Sequence, residues 1–137
     1  MAYWLVKSEP ASYSWEKLVQ EKRTHWNGVR NHQAAANLKG MKIGDRVFFY
    51  HSVEGLAIVG IAEVAKTYYP DPSDKTGRFG MVDLKAVEPL KRPVTLAEIK
   101  AEPKLAGLGL VRQSRLSVMP VDAAAWKLLN KMGGMKA

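Results

Sequence analysis

Residues 41–66 read MKIGDRVFFYHSVEGLAIVGIAEVAK, and this stretch carries strong strand signals. A Gly-Asp turn precedes the apolar, aromatic run from Arg46 to His51, which predicts a strand. The run LAIVGIAEVAK at 56–66 predicts a second strand, in which Gly60 indicates a bulge or the close approach of another group. Because the two strands follow each other so closely, a sheet is expected at the centre of the fold.

Further strands and several short helices are predicted on both sides of this stretch. The strands are YWLVK (3–7), FGMVDLKAVEPL (79–90) and RLSVMPV (115–121). The helices begin after residues that can cap a first turn: 15–21 after Ser14, 32–39 after Asn31, 96–102 after Thr95 and 123–132 after Asp122. The polar segments at 25–28 and 68–78 are expected to be loops. About five strands, many of them adjacent in sequence, predict an α+β domain: a small curled mixed β-sheet or barrel flanked by short helices.

Length and composition limit the classes of protein that need to be considered. A chain of 137 residues is expected to be a single domain, 1–137. The absence of cysteine excludes disulfides, zinc-thiolate sites and thiol nucleophiles. The start of the chain lacks a basic leader followed by an apolar stretch, and no apolar run approaches the roughly 20 residues of a membrane span. We therefore expect a cytoplasmic protein, or a nuclear one in a eukaryote, with no membrane partner.

The charge of the chain favours a polyanionic partner. Twenty-one Lys and Arg residues against thirteen Asp and Glu residues give a net charge of +8. Such a surface can neutralise phosphates and release their counterions, so nucleic acid is the first candidate. The positive charges are scattered along the chain rather than gathered in one long block, which favours a folded basic face over a disordered tail. A basic surface that serves only solubility is the alternative.

Catalytic and metal-binding patterns are weak. The three histidines, His25, His32 and His51, lack metal-ligand spacing, and no metal or cofactor is predicted. No serine lies in a nucleophile elbow, and GLGL at 107–110 lacks the context of a phosphate loop. Asp71 and the nearby Asp74 flank a proline and have the pattern of turn residues. Binding is therefore a better interpretation than catalysis.

The segment HWNGVRNHQAAANL, 25–38, concentrates hydrogen-bonding groups beside an aromatic residue. Trp26 lies in a polar context, where it can either cover the core or stack on a ligand. Arg30, Asn31 and Gln33 can cap and brace the following helix, but Asn and Gln amides also read base edges. This segment is thus a candidate for one wall of a binding site.

Two other segments offer polar groups for the rim of a pocket. His51 and Ser52 end the strand that begins at Arg46. An extended segment, VRQSRLSV, would place Gln113, Arg115 and Ser117 on one side and Arg112, Ser114 and Leu116 on the other. Arg115 can hold a phosphate or carboxylate through two hydrogen bonds, or form a surface ion pair.

Seven segments in order along the chain resemble one known family: YWLVKSEP, WNGVRNHQA, MKIGDRVFFYHS, IVGIAEV, YPDP, FGMVDLKAV and SRLSVMPV. They resemble the EVE domain of the PUA-like superfamily, in the thymocyte nuclear protein-like family, over about residues 2–129. The resemblance implies a PUA-like fold. It also implies a reader of modified nucleobases in DNA or RNA, similar to YTH domains, which hold N6-methyladenine in an aromatic cage.

The resemblance to YTH domains also implies roles for particular residues. Lys7-Ser8 matches the polar pair that ends their first strand, and Trp26 matches a cage tryptophan. By the same match, Glu9 and the backbone of Asn27 are expected to contact a base edge. The second cage aromatic is open among Trp4, Tyr50 and Tyr68, whereas Trp15 and Trp126 are expected to pack their helices.

The leading hypothesis is a non-catalytic module that reads a modified base in nucleic acid. One alternative is an RNA-binding module directed by shape and backbone. The other is an enzyme acting on a modified base or nucleotide, with His51 or Glu9 as its acid-base group. The candidate ligand-binding residues are Lys7, Ser8, Glu9, Trp26, Asn27, Arg30, Asn31, Gln33, His51, Ser52, Gln113, Ser114, Arg115 and Ser117.

Overall fold

A computed structural model describes residues 1–135, so the last two residues of the predicted domain 1–137 lie outside the described residues. The described residues form one mixed six-stranded sheet with the order β2-β5-β4-β3-β1-β6. Its strands are β1 (Tyr3–Ser8), β2 (Arg23–Trp26), β3 (Arg46–His51), β4 (Ala57–Pro70), β5 (Gly80–Thr95) and β6 (Val118–Val121). The predicted α+β class is confirmed, and the sheet is open rather than a closed barrel.

Pairing in the sheet brings together the polar ends of two strands. β1 and β3 are parallel, and every other pair is antiparallel. The register aligns Lys7 with Tyr50 and Ser8 with His51. Because parallel strands end at the same edge of a sheet, the polar residues that follow both strands lie at one edge.

The sheet curls because its two longest strands are irregular. The pairing of β4 with β5 shifts register four times, and the first shift lies between Ile58 and Gly60. Each shift increases the local twist and bends the strand. A Cβ atom at Gly60 would lie 2.5 Å from the ring of Trp15, so glycine lets this tryptophan pack on the strand. The predicted bulge at Gly60 is confirmed, and the group that comes close to this glycine is a side chain rather than another backbone segment.

Five α-helices flank the sheet in residues 1–135. They are α1 (Trp15–Glu21), α2 (His32–Gly40), α3 (Leu96–Ala101), α4 (Gly109–Arg112) and α5 (Ala123–Met132), with a 3₁₀ turn at Pro103–Leu105. All four predicted caps are confirmed, since the side chains of Ser14, Asn31, Thr95 and Asp122 each accept a backbone N–H in the first turn. No helix in this part of the chain is long and apolar enough to span a membrane.

Three predictions about local structure were wrong in part. The predicted loop 25–28 begins inside a strand, Arg23–Trp26, because pairing with β5 satisfies the backbone groups of that strand. The predicted loop 68–78 begins inside β4, which extends to Pro70. The segment predicted to be extended from 111 to 118 instead begins in α4, turns at 113–117 and becomes a strand only at Val118. The alternation of side chains proposed for Gln113, Arg115 and Ser117 therefore does not hold.

Trp15 and Trp126 pack their helices against the sheet, as predicted. Trp15 is 6% exposed and packs edge-on against Phe49, with ring centroids 5.5 Å apart. Trp126 of α5 stacks on Phe48 at 4.0 Å and on Tyr3 at 4.5 Å. These contacts cover both faces of the aromatic centre of β3, because successive side chains of a strand point to opposite faces.

Candidate nucleic-acid interface

A cavity of about 760 Å³ opens where β1, β2 and the loop before α2 meet; we call it the main cavity. Eight of the predicted site residues line it: Lys7, Ser8, Glu9, Trp26, Asn27, Arg30, Asn31 and Ser117. The loop before α1 and residues of α1 and β2 complete the wall, with Ser12, Tyr13, Lys17, Glu21, Thr24 and His25. The cavity combines aromatic surface with polar and charged groups, which is typical of a ligand-binding pocket.

Trp26 belongs both to the core and to this cavity. Its side chain is 9% exposed, and Phe49 lies edge-on behind it at 5.6 Å. Tyr13, which also lines the cavity, lies at 85° to the Trp26 ring with centroids 6.3 Å apart. The two rings therefore form an aromatic corner, and sequence reasoning had identified only Trp26.

The hydroxyl of Tyr13 is fixed as a neutral hydrogen-bond donor. It donates to Glu21 Oε1 at 2.6 Å. Burial, followed by this hydrogen bond, raises the pKa of Tyr13 to about 12. The carboxylate of Glu21 thus helps to hold the Tyr13 ring in place at the cavity wall.

The loop from Asn27 to Asn31 is held by a buried carboxylate from a distant part of the chain. Asp71 is 2% exposed and accepts the backbone N–H of Gly28 at 2.8 Å. Arg30 Nη1 donates to the same oxygen at 3.1 Å, and Ser73 donates to the other oxygen through its N–H and its hydroxyl. Gly28 adopts a φ of 81°, a conformation that favours glycine.

These contacts show that Asp71 does more than form a turn. Burial by itself raises its pKa, but the hydrogen bonds from Ser73, Gly28 and Arg30 outweigh this effect and lower the pKa to about 2. Asp71 is therefore an anion that braces one wall of the main cavity. Its position between two prolines in the sequence indicated a turn and gave no sign of this long-range role.

Lys7 and Ser8 are engaged in the structure and still line the cavity. Lys7 Nζ donates to the carbonyl of Ser114 at 2.9 Å, and burial lowers the pKa of this lysine. The Ser8 hydroxyl donates to the carbonyl of Tyr13 at 2.6 Å. Because the hydroxyl proton of Ser8 already takes part in this hydrogen bond, the Ser8 oxygen is better suited to accept a hydrogen bond from a ligand than to donate one.

Two smaller cavities adjoin the main cavity. The second cavity, about 500 Å³, shares Lys7, Glu9 and Ser117 with it and also contains the predicted residues Ser52, Ser114 and Arg115. The third cavity, about 300 Å³, shares Asn31 with the main cavity and contains Gln33, Gln113, Ser114 and Arg115. The predicted residues therefore form one surface around three adjoining depressions.

His51 lines none of these three cavities. Its Nε2 accepts the backbone N–H of Trp15 at 3.0 Å and so satisfies the first turn of α1. Burial lowers the pKa of His51, although Glu16 opposes the shift. The geometry gives His51 a part in positioning α1.

None of the three aromatics considered for the second cage position lines the main cavity. Trp4 is buried and donates through Nε1 to Asp45 at 3.0 Å. Tyr50 lies in the second cavity. Tyr68 packs over Gly80, with Lys39 Nζ 5.4 Å from its ring centroid. The aromatic that does face Trp26 is Tyr13, which the spacing of the sequence motifs did not indicate.

A charged cluster lies at the side of the main cavity. Asp83 is 3% exposed and accepts from Arg23 at 2.8 Å, from His25 Nδ1 at 2.9 Å and from the hydroxyl of Tyr69. Burial raises the pKa of Asp83, but these donors outweigh it and lower the value to about 2. Within residues 1–135, no three His, Asp or Glu side chains converge in a way that could hold a metal ion.

The curled mixed sheet with a recessed pocket at the edge of β1 defines a PUA-like domain. The chain belongs to the EVE domain family, whose model matches residues 2–132. Thymocyte nuclear protein 1 of Homo sapiens is 35% identical over 88% of this chain and 68% of that protein. The predicted family membership and fold are thereby confirmed.

Solved structures give the same result. Rpa0253 of Rhodopseudomonas palustris is 56% identical with a TM-score of 0.93, covering 98% of this chain and 94% of the other. Human THYN1, solved in complex with DNA containing 5-methylcytosine, is 31% identical with a TM-score of 0.91 and covers all of both chains. The YTH domain of Zygosaccharomyces rouxii MRB1 is 15% identical with a TM-score of 0.60 over 99% of this chain and 87% of the other, and shows likeness of fold alone.

Proposed function

We propose that this chain is a non-catalytic module that binds nucleic acid and reads a modified base in the main cavity. The observation that carries the proposal is the aromatic corner of Trp26 and Tyr13 inside a cavity with polar walls. The solved chain of human THYN1, which matches all of this chain, is described in complex with DNA containing 5-methylcytosine. The same class of ligand fits the chemistry of this cavity.

The proposed recognition requires a base that has left its stack. Extrusion of a base costs a few kcal/mol, and stacking on an aromatic side chain contributes about 1–3 kcal/mol in return. The net charge of +8 favours phosphate contacts, which supply the remaining free energy. Lys7 and Arg115 are candidates for these contacts, because both line the second cavity, which adjoins the main one.

The polar walls offer both donors and acceptors to a base edge. Asn31 uses Oδ1 to accept the N–H of Ala34 at 2.9 Å, which leaves its amide nitrogen as a donor toward the cavity. Ser8 and the exposed carboxylate of Glu9, which line the same cavity, offer acceptors. A cavity that offers both donors and acceptors can distinguish base edges.

The geometry gives less support to an enzyme. The acceptor nitrogen of His51 is already bound to the backbone of Trp15, and this histidine lies outside the main cavity. Glu9 is an exposed carboxylate in the wall shared by the main and second cavities. We also propose that the domain is cytoplasmic, or nuclear in a eukaryote, where nucleic acid is present.

A binding screen tests the proposal. Fluorescence anisotropy would compare short DNA and RNA oligonucleotides carrying 5-methylcytosine, N6-methyladenine or no modification. We expect at least one modified ligand to bind about tenfold more tightly than its unmodified form. Trp26→Phe should reduce this preference, whereas Trp126→Phe, a tryptophan substitution outside the cavity, should preserve it.

Other outcomes would identify the alternatives. Equal affinity for modified and unmodified RNA would replace the base reader with a module directed by shape and backbone. Conversion of a modified oligonucleotide, detected by mass spectrometry after incubation with excess protein, would replace it with an enzyme.

A further inference from the structure

The turn between β3 and β4 exposes two apolar side chains beside the main cavity. Val53 is 70% exposed and Leu56 is 42% exposed, and both line the second cavity. The wall between the two cavities consists of Lys7, Glu9 and Ser117. This turn, residues 52–56, therefore lies next to the place where the proposed function puts an extruded base.

Val53 has a backbone conformation that valine rarely adopts. Its φ is 70°, and the N–H of Glu54 donates to the carbonyl of Ser52 at 2.8 Å across it. A hydrogen bond between residues i and i+2 with the central residue at positive φ forms a γ-turn of the rare, strained kind. For a β-branched residue this conformation is an outlier, which favours a functional reason for it.

The turn is held firmly at both ends. The N–H of Ser52 donates to the carbonyl of Ser8 at 2.9 Å, at the end of β1. At the other end the carbonyl of Leu56 accepts the N–H of Leu96 at 2.9 Å, at the start of α3. Between these two hydrogen bonds the turn leaves Val53 exposed.

Cations outnumber carboxylates around the turn, as contact with a nucleic-acid duplex requires. Lys7, Lys100 and Arg115 line the second cavity together with Val53, against one carboxylate in that lining, Glu9, and one in the turn itself, Glu54. An apolar tip among cations matches the way in which minor-groove and architectural proteins insert apolar side chains between base steps while basic residues hold the phosphates.

We infer that the β3–β4 turn is a wedge that enters a duplex when the modified base leaves its stack. Val53 would occupy the space beside the vacated position, and Lys7, Lys100 and Arg115 would hold the flanking phosphates. This inference rests on the proposed function and extends it, because it makes double-stranded nucleic acid the preferred form of the ligand.

The test compares Val53→Ala with Ile43→Ala. Ile43 is 69% exposed on a different turn, so the two substitutions remove similar apolar surface. Anisotropy would be measured for a DNA duplex with one 5-methylcytosine and for the same modified strand alone. We expect Val53→Ala to weaken duplex binding about tenfold and to change single-strand binding less than about twofold. Ile43→Ala should change neither.

A second measurement reports on the insertion directly. A duplex with 2-aminopurine beside the modified base should fluoresce more strongly when the wild-type protein unstacks that step. Val53→Ala should give a smaller rise. Thermal melting of both variants establishes that the effects do not come from unfolding.

The outcomes separate the wedge from the proposed function. If the wild-type protein prefers the modified strand but Val53→Ala binds the duplex as tightly as wild type, the wedge is wrong and the base reader stands. Equal loss on duplex and single strand also overturns the wedge. If the wild-type protein does not distinguish modified from unmodified ligands at all, the proposed function itself is wrong.

Discussion

Asp71 Oδ2 accepts the backbone N–H of Gly28 at 2.8 Å, and this hydrogen bond joins residues that are 43 positions apart. It fixes the loop that follows Trp26, so a turn far along the chain determines the shape of the main cavity. A site whose wall depends on a single buried carboxylate is sensitive to changes in that carboxylate.

Asp71→Asn should loosen the cavity wall. The amide keeps one acceptor oxygen but loses the charge that pairs with Arg30 and one of the two oxygens that accept hydrogen bonds. We expect a loss of about 1–3 kcal/mol in the free energy of unfolding and weaker binding to modified oligonucleotides. Chemical denaturation and anisotropy measure the two effects.

Asp74→Asn is the matched control for this substitution. Asp74 accepts from Thr76 and Phe79 in the same turn, and its hydrogen bonds do not reach residues 27–30. If it reduced binding as much as Asp71→Asn does, the brace on Gly28 would not be the reason for the effect.

Acid should destabilise the domain in a defined range of pH. The pKa values of Asp71 and Asp83 are both lowered from 3.8 to about 2, because hydrogen-bond donors outweigh the opposing effect of burial. Folding therefore favours the ionised carboxylates, whose full stabilising effect is present above about pH 4 and is lost as the pH falls toward 2. Melting temperatures between pH 5 and pH 2 should show this fall, and Asp71→Asn should make it shallower. An unchanged slope in that variant would contradict the assignment.

Trp26→Ala should affect stability as well as binding. The ring is 9% exposed and packs against Phe49, so its removal leaves a void in the core. We expect a loss of about 3–5 kcal/mol in the free energy of unfolding, measured by thermal or chemical denaturation. Trp26→Phe should melt much closer to wild type because it keeps an aromatic ring. A Trp26→Ala variant that melts like wild type would show that the side chain belongs to the cavity alone.

Tyr13 should act through its ring rather than its hydroxyl. Tyr13→Phe removes the hydrogen bond to Glu21 but keeps the aromatic corner with Trp26. We expect Tyr13→Phe to retain preference for a modified base and Tyr13→Ala to lose most of it, because stacking contributes about 1–3 kcal/mol. Anisotropy on paired modified and unmodified oligonucleotides measures the preference. Equal behaviour of the two variants would remove Tyr13 from the site.

Salt should weaken binding strongly, because a net charge of +8 implies several phosphate contacts. Arg115→Gln should lower the slope of log affinity against log salt concentration by about one, if this residue contacts a phosphate. Lys127→Gln removes the same charge on α5, away from the three cavities, and should leave the slope unchanged. Titrations from low to physiological salt provide the measurement, and a flat affinity would contradict nucleic-acid binding.

The sequence by itself determined the elements that depend on neighbouring residues. The caps at Ser14, Asn31, Thr95 and Asp122 were predictable because each side chain bonds to a backbone N–H three residues further along. The strand from Arg46 to His51 was equally clear, since a continuous apolar and aromatic run needs burial on both faces. Lys7, Ser8 and Trp26, which the resemblance to YTH domains singled out, all line the main cavity.

The tertiary structure alone decided the features that depend on distant partners. Residues 23–26 form a strand because β5 lies beside them, and their own polar sequence gave no sign of it. Tyr13 and Asp71 enter the site because folding brings them to Trp26 and Gly28. A sequence pattern reports interactions within a few residues, whereas these contacts require the whole sheet to form first. For the same reason, the sequence identified Trp26 in the cavity wall but missed Tyr13, the ring beside it, and Asp71, the carboxylate that holds the loop after it.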